Sequence, residues 1–211
     1  QMKLEGAIEG IKFALGENPT NHGTRERLIP QTRMGVEFVI RKAFSEARQY
    51  MEAWDAYNKA KSAKNFRGAP PAYSYRMETL ADILKGNIII NCHSYRADEI
   101  NMMLNVCKDY GIKKIVFQHV NEGFKVAPEL AILVRNGVLT SINSDSGDYI
   151  RHLYHEAAKT QKYGGLSDEE ALALVTINPA KQLGVDNRIG SIEVGKDCDI
   201  AIFKNHPLSI Y

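Results

Sequence analysis

His93, His119 and Asp145 follow one another at intervals of 26 residues. Each closes an apolar run: NIIINCH over 87–93, KKIVFQH over 113–119 and VLTSINSD over 138–145. Two imidazoles and a carboxylate form a donor set for first-row divalent metals, and a carboxylate beside such a site can also move protons. A single histidine at the end of an apolar run is more often a hydrogen-bonded rim residue. Three such ends in register favour a shared site. Lys12, closing an earlier run within EGIKFALGENP (9–19), is a fourth candidate. A solvated lysine beside a turn accounts for Lys12 nearly as well.

The segments between these ends must position them. After the first histidine, Ile100, Met103, Leu104, Cys107 and Tyr110 recur on one helical face that stops at Gly111. PELAILVRNG (128–137) is helical again and leads into VLTSINSD. The resulting order is strand, helix, strand, helix, strand, each strand an almost unbroken apolar run, as in parallel α/β sheets buried on both faces. In an α/β barrel the carboxyl ends of the strands form the active face. The three isoleucines at 88–90 would then build the wall, and His93 would stand on its rim.

Upstream, EGIKFALGENP is expected to be a strand stopped by a Gly and Asn-Pro turn. A helix follows from about 32 to 64, with Phe44, Ala47, Tyr50, Met51, Trp54 and Tyr57 on one face. A polar, Pro-containing connection (61–76) hands over to a short helix, METLADILKG, ended by Gly86. Downstream, Ser167 and Glu170 make a capping box for DEEALALVTIN, and NPAKQLGV is one more short helix. From Arg188 the pattern changes. Ile189, Ile192 and Val194, then Ile200, Ile202 and Phe203, are spaced like short strands between Gly-containing turns.

Lys and Arg number 27 against 25 Asp and Glu, with both signs interspersed. That balance gives little support to a nucleic-acid or anionic-membrane partner. No apolar run approaches the roughly 20 residues of a membrane helix, and QMKLEGAIEG has no signal-peptide pattern. Cys92, Cys107 and Cys198 are odd in number and lack a CxxC, so neither a disulfide framework nor a zinc knuckle is expected. Cysteine usage leans towards a reducing, cytoplasmic compartment.

NCHSYRADEI, FQHVNEG, SINSDSG and above all LVTINPAKQLGVDNRIGSIEVGKDCDIAIF resemble the imidazolonepropionase-like branch of the amidohydrolase superfamily. GIKFALGENP and TRMGVEFVIRKAF resemble one part of that branch. The resemblance implies an α/β fold, a (β/α)8 TIM-type metal-dependent hydrolase barrel, incomplete here. Residues 1–187 would be its carboxyl-terminal portion, from about strand 4, and 188–211 strands of a small composite β-sandwich. By the same likeness His93 and His119 would be metal ligands ending strands 5 and 6, and Asp145 the strand 8 ligand and catalytic proton shuttle. Lys12 matches a position that is a carboxylated lysine bridging two metals in several relatives. Tyr95 resembles a tyrosine that touches a substrate carboxylate, and Arg96 beside it suits the same acidic group. The implied cofactor is Zn²⁺, as one or two divalent ions, lowering the pKa of bound water. The implied reaction is hydrolysis of a linear or cyclic amide C–N bond in a small, carboxylate-bearing substrate. A homo-oligomer is compatible with the sequence.

Two departures qualify the likeness. There is no His-x-His pair, which in the family supplies the other metal ligands from the first strand. The stretch between His119 and Asp145 has room for one βα unit where the family fits two, so strand 7 is expected to be absent. These 211 residues alone are expected to give half a metal site and little or no turnover. A superfamily deaminase is the rival enzyme, but Arg96 stands where those relatives carry Glu. A non-catalytic binding module is the rival from another class. His152 and His155 have a spacing that can chelate, although a solvated helix face explains them better. His22 and His206 are expected in exposed turns, and Cys92 is expected to point into packing, opposite to His93.

Overall fold

A computed structural model of the chain describes residues 9–63, 65–119, 123–135, 137, 139–144 and 147–209. Three strands, β1 (Glu9–Ala14), β2 (Ile88–Ser94) and β3 (Ile115–His119), form one parallel sheet in the order β1-β2-β3. Strands that neighbour one another in sequence are neighbours in the sheet, as in the wall of a barrel. The ladder places Ala14 beside His93 and His93 beside Gln118. Leu15 N donates to His93 O (3.2 Å), carrying the pairing one residue past β1.

Strand alternation gives the sheet two different faces. Ile11, Phe13, Ile90, Cys92, Ile115 and Phe117 share the face that packs into the main hydrophobic core. That core is closed by α2 (Arg33–Ala60), α3 (Tyr75–Lys85) and α4 (Ala97–Tyr110). The Thr32 hydroxyl caps α2 by accepting from Gly35 N (3.1 Å), and left-handed glycines 86 and 111 end α3 and α4. Each expected helix over these residues therefore forms within a few residues of its expected bounds.

The expected Asn-Pro turn does not form. Asn18 and Pro19 lie in the first turn of α1 (Glu17–Glu26), where proline's missing N–H has no helical acceptor to serve. His22 consequently sits exposed on a helix rather than in a turn.

After β3, α5 (Ala127–Arg135) packs on α6 (Leu153–Gly164), with α7 (Asp168–Ala173) and Leu174 completing a second, smaller apolar cluster, and α8 (Ile177–Leu183) follows. Ser167 and Glu170 form the expected capping box, although α7 is shorter than DEEALALVTIN. Residues 139–144, expected as a strand, have no strand structure. Their carbonyls are taken by side chains instead: Asn178 Nδ2 donates to Thr140 O (2.9 Å) and Gln182 Nε2 to Leu139 O (3.0 Å). A strand-like bond does run from His119 N to Asn143 O (2.8 Å).

The described residues from 188 to 209 also form no strand, contrary to expectation. Ile192 and Ile202 are 86% and 95% exposed. A strand needs a ladder partner for its N–H and C=O groups, and none of the described segments lies alongside to supply one. Among the described residues no helix is long and apolar enough to cross a membrane.

Candidate active site at the strand ends

Ile88, Ile89 and Ile90 bury the base of β2 and carry His93 to its carboxyl end. His93 shares a sheet face with Asn91 and, across the ladder, Gln118. By simple alternation His119, paired with Ser94, belongs on the opposite, helix-covered face. Its backbone breaks that alternation with φ 73°, a left-handed conformation in which histidine is enriched among non-glycine residues. The imidazole is brought against His93, with ring centroids 4.2 Å apart at 70°. Both residues are only 9% exposed. His119 Nδ1 also lies 3.4 Å from Ser144 O, next to the position expected to contribute a carboxylate. Such a backbone costs on the order of 1–3 kcal/mol and persists where surrounding structure demands it.

Tyr95 covers the pair. Its ring lies 4.7 Å from that of His93 and 5.1 Å from that of His119. It is 41% exposed, so one edge faces solvent and the other the imidazoles. Arg96 is differently engaged: its Nε and Nη2 donate to Asp98 Oδ1 (2.9 Å) and Oδ2 (3.1 Å). The guanidinium hydrogen bonds hold the Asp98 carboxyl below the usual carboxylate range. A substrate carboxylate would have to compete with Asp98 for Arg96.

Lys12 pairs with Asn91 in the ladder, one strand from His93 and two residues lower on the same face. Two residues of strand rise are about 6.6 Å, within the span of a lysine side chain. Lys12 is exposed. Asp145 lies outside the described residues. Among the described residues, no group of three or more His, Cys, Asp or Glu is gathered as a metal cage. The structure thus brings together His93, His119 and Tyr95, and puts Lys12 on the adjoining strand. Neighbouring imidazoles are borderline-soft donors suited to Zn²⁺ and its first-row neighbours.

Below the pair, a cleft of about 970 Å³ is lined by Asn91, Gln118, Ser141, Asn143 and Gln182, among others. These amides and hydroxyls offer neutral donors and acceptors, set among apolar side chains that include Ile89, Val116, Ile142 and Leu183.

Sequence reasoning missed Glu99, a buried carboxylate in the first turn of α4 that accepts from Tyr95 N (3.2 Å) and Arg96 N (3.3 Å). The signal was weak because Arg96 precedes the helix where Ser, Thr or Asp would have announced a capping box.

The remaining histidines and cysteines lie elsewhere. His152, in a short 3₁₀ turn, stacks on His155 of α6 (5.1 Å, 10°), with His152 exposed as expected of a solvated face. His206 Nε2 reaches Asp168 Oδ2 (3.2 Å) while its Nδ1 accepts from Leu208 N (3.3 Å). Cys92 and Cys107 are free and buried, and Cys198 is free and exposed. Burial pushes the Cys92 thiol well up and Cys107 up to about 12. Since the thiolate is the nucleophile, one cysteine of three is expected to react with a maleimide in the native protein at pH 7.5. All three should react in denaturant, as counted by mass spectrometry; rapid native labelling of Cys92 would contradict its burial.

Comparison with known proteins places these features in context. The amidohydrolase family model matches residues 91–211. The amidohydrolase tasK of Hapsidospora irregularis is 28% identical over 237 residues, an alignment covering 95% of this chain and 24% of that protein. An imidazolonepropionase of Thermoplasma volcanium is 36% identical over 77 residues, 36% of this chain and 19% of that protein. The crystal structure of an amidohydrolase from Thermotoga maritima MSB8 superposes with a TM-score of 0.62 at 28% identity, covering 94% of this chain and 58% of that one. The chain therefore spans about a quarter of the tasK protein and less than two thirds of the solved structure. The partial imidazolonepropionase matches agree with the branch that the sequence motifs resemble.

Proposed function

This chain belongs to the amidohydrolase family, and from that premise we propose that it forms part of a metal-dependent hydrolase cleaving a C–N bond in a linear or cyclic amide. The observation that carries the reading is the meeting of His93 and His119, rings 4.2 Å apart, through a left-handed turn at the end of β3. Both are buried residues at adjacent strand ends, where a parallel barrel gathers its reactive groups. Lys12, on the same sheet face, would join the ligands in its carboxylated form, and Asp145 would complete the set.

His93 and His119 would hold the divalent ion, Zn²⁺ being the best match for the donor set. The chemistry such an ion supplies when bound is polarisation of a carbonyl and activation of water at neutral pH. The chain's own residues do the rest. Asp145 takes the proton of the attacking water and delivers it to the departing nitrogen. Tyr95, over the imidazoles, presents its phenol to a substrate carboxylate, and Arg96 adds charge there by exchanging Asp98 for the substrate. Residues 1–187 act as the barrel portion. Residues 188–211 would supply the small composite β-sandwich only once partner strands bind their backbone and cover the exposed Ile192, Val194, Ile200 and Ile202.

Zn²⁺ titration of the purified protein tests this reading. His93→Ala and His119→Ala are each expected to weaken binding by more than about 100-fold, the upper figure for losing only an outer-shell partner. Wild-type protein that binds no Zn²⁺, Mn²⁺ or Co²⁺ while folded would sink it in favour of a non-catalytic binding module.

A further inference from the structure

Three donors from two separate parts of the chain converge on Glu99, which is 3% exposed. Arg33 Nε, at the start of α2, donates to Oε1 (2.7 Å), a bond spanning 66 residues. Tyr95 N (3.2 Å) and Arg96 N (3.3 Å) donate to Oε2. Gly16, where β1 passes into α1, lies so close that a Cβ there would stand 3.0 Å from Oε1. One carboxylate thus joins the ends of β1 and β2 to the first turns of α2 and α4.

We infer that Glu99 is a positioning residue: it fixes the backbone of the 94–97 turn and thereby holds the Tyr95 ring over His93 and His119. A half-exposed tyrosine has no packing on its outer side to fix it, so the turn beneath must do so. Glutamine could keep both backbone bonds by turning its carbonyl oxygen to Tyr95 N and Arg96 N and would lose only Arg33, so alanine, which removes both acceptors, is the decisive replacement. The consequence for substrate rests on the reading of Tyr95 as a carboxylate contact; the positioning itself does not.

The test is proton NMR of the purified protein, following nuclear Overhauser contacts between the Tyr95 ring and the two imidazoles. Glu99→Ala should lose these contacts while the protein stays folded. Gly16→Ala, which pushes on Oε1 without removing the charge, should lose or weaken them, and it decides the matter if Glu99→Ala does not fold. Val106→Ala, a buried truncation on the same helix α4, should leave them intact. Wild-type contacts in folded Glu99→Ala or Gly16→Ala, or equal loss in Val106→Ala, would overturn the inference. Neither metal nor substrate is needed, so failure of the hydrolase reading would be seen separately. In active enzyme Glu99→Ala should raise KM more than it lowers kcat. Lost ring contacts with unchanged KM would leave Glu99 in its role and remove Tyr95 from substrate binding.

Discussion

In a polypeptide that also supplies the family's His-x-His pair, replacing Asp145 by asparagine is expected to lower turnover of a carboxylate-bearing amide by about 10²–10⁴-fold, the usual contribution of a positioned general acid–base. Asparagine keeps the size and one acceptor oxygen but can neither take up nor release the proton. Because Asp145 is proposed as a ligand as well as a shuttle, the measurement must separate the two roles. At limiting Zn²⁺ both defects would appear together. At saturating Zn²⁺ a loss of affinity is overcome, whereas the missing proton transfer is not. The expected result is therefore a kcat that stays low at every metal concentration, with KM little changed. Recovery to within about tenfold of wild type at saturating metal would restrict Asp145 to ligation and leave the proton shuttle unassigned.

Phe44→Ala is expected to cost about 3–5 kcal/mol of stability, the range for deleting a buried aromatic ring. Phe44 is 0% exposed and joins three elements: its ring lies 6.1 Å from Phe13 of β1 and 5.4 Å from Tyr110 of α4. The cavity would open at the point where α2 meets the sheet, and the long helix has few ways to collapse into it. In urea, with a slope near 2 kcal/mol per molar, the midpoint should fall by about 1.5–2.5 M with the slope unchanged. A loss below about 1 kcal/mol would mean that α2 is held chiefly by its polar contacts, such as Arg41 with Asp109 (2.7 Å). The site should suffer with the core, since α2 also carries Arg33 to Glu99.

These effects trace back to features of unequal legibility. The strand ends at His93 and His119, the helices between them and their glycine stops were readable in the sequence. Burial periodicity and capping are local properties: Ile88–Ile90 and Phe117 must face a core whatever lies further away, and Gly86 and Gly111 end helices through their own φ. The motif around 175–203 likewise sufficed for the family. The family likeness singled out Tyr95, two residues after His93, while its ring contacts with both imidazoles came from the fold.

What only the tertiary structure decided depends on groups distant in sequence. VLTSIN has the composition of a strand, yet Asn178 and Gln182 take the carbonyls that a ladder would have used. The apolar residues after 188 have strand spacing, but a strand exists only when a second one binds its backbone. His119 has the right side chain in the right register and the wrong face. A left-handed backbone, not its position in KKIVFQH, turns it towards His93. Glu99 reads as an ordinary helix-start glutamate until Arg33 arrives from 66 residues away. Periodicity specifies which residues are buried. Hydrogen-bond partners and backbone handedness, set by the whole fold, determine which of them meet.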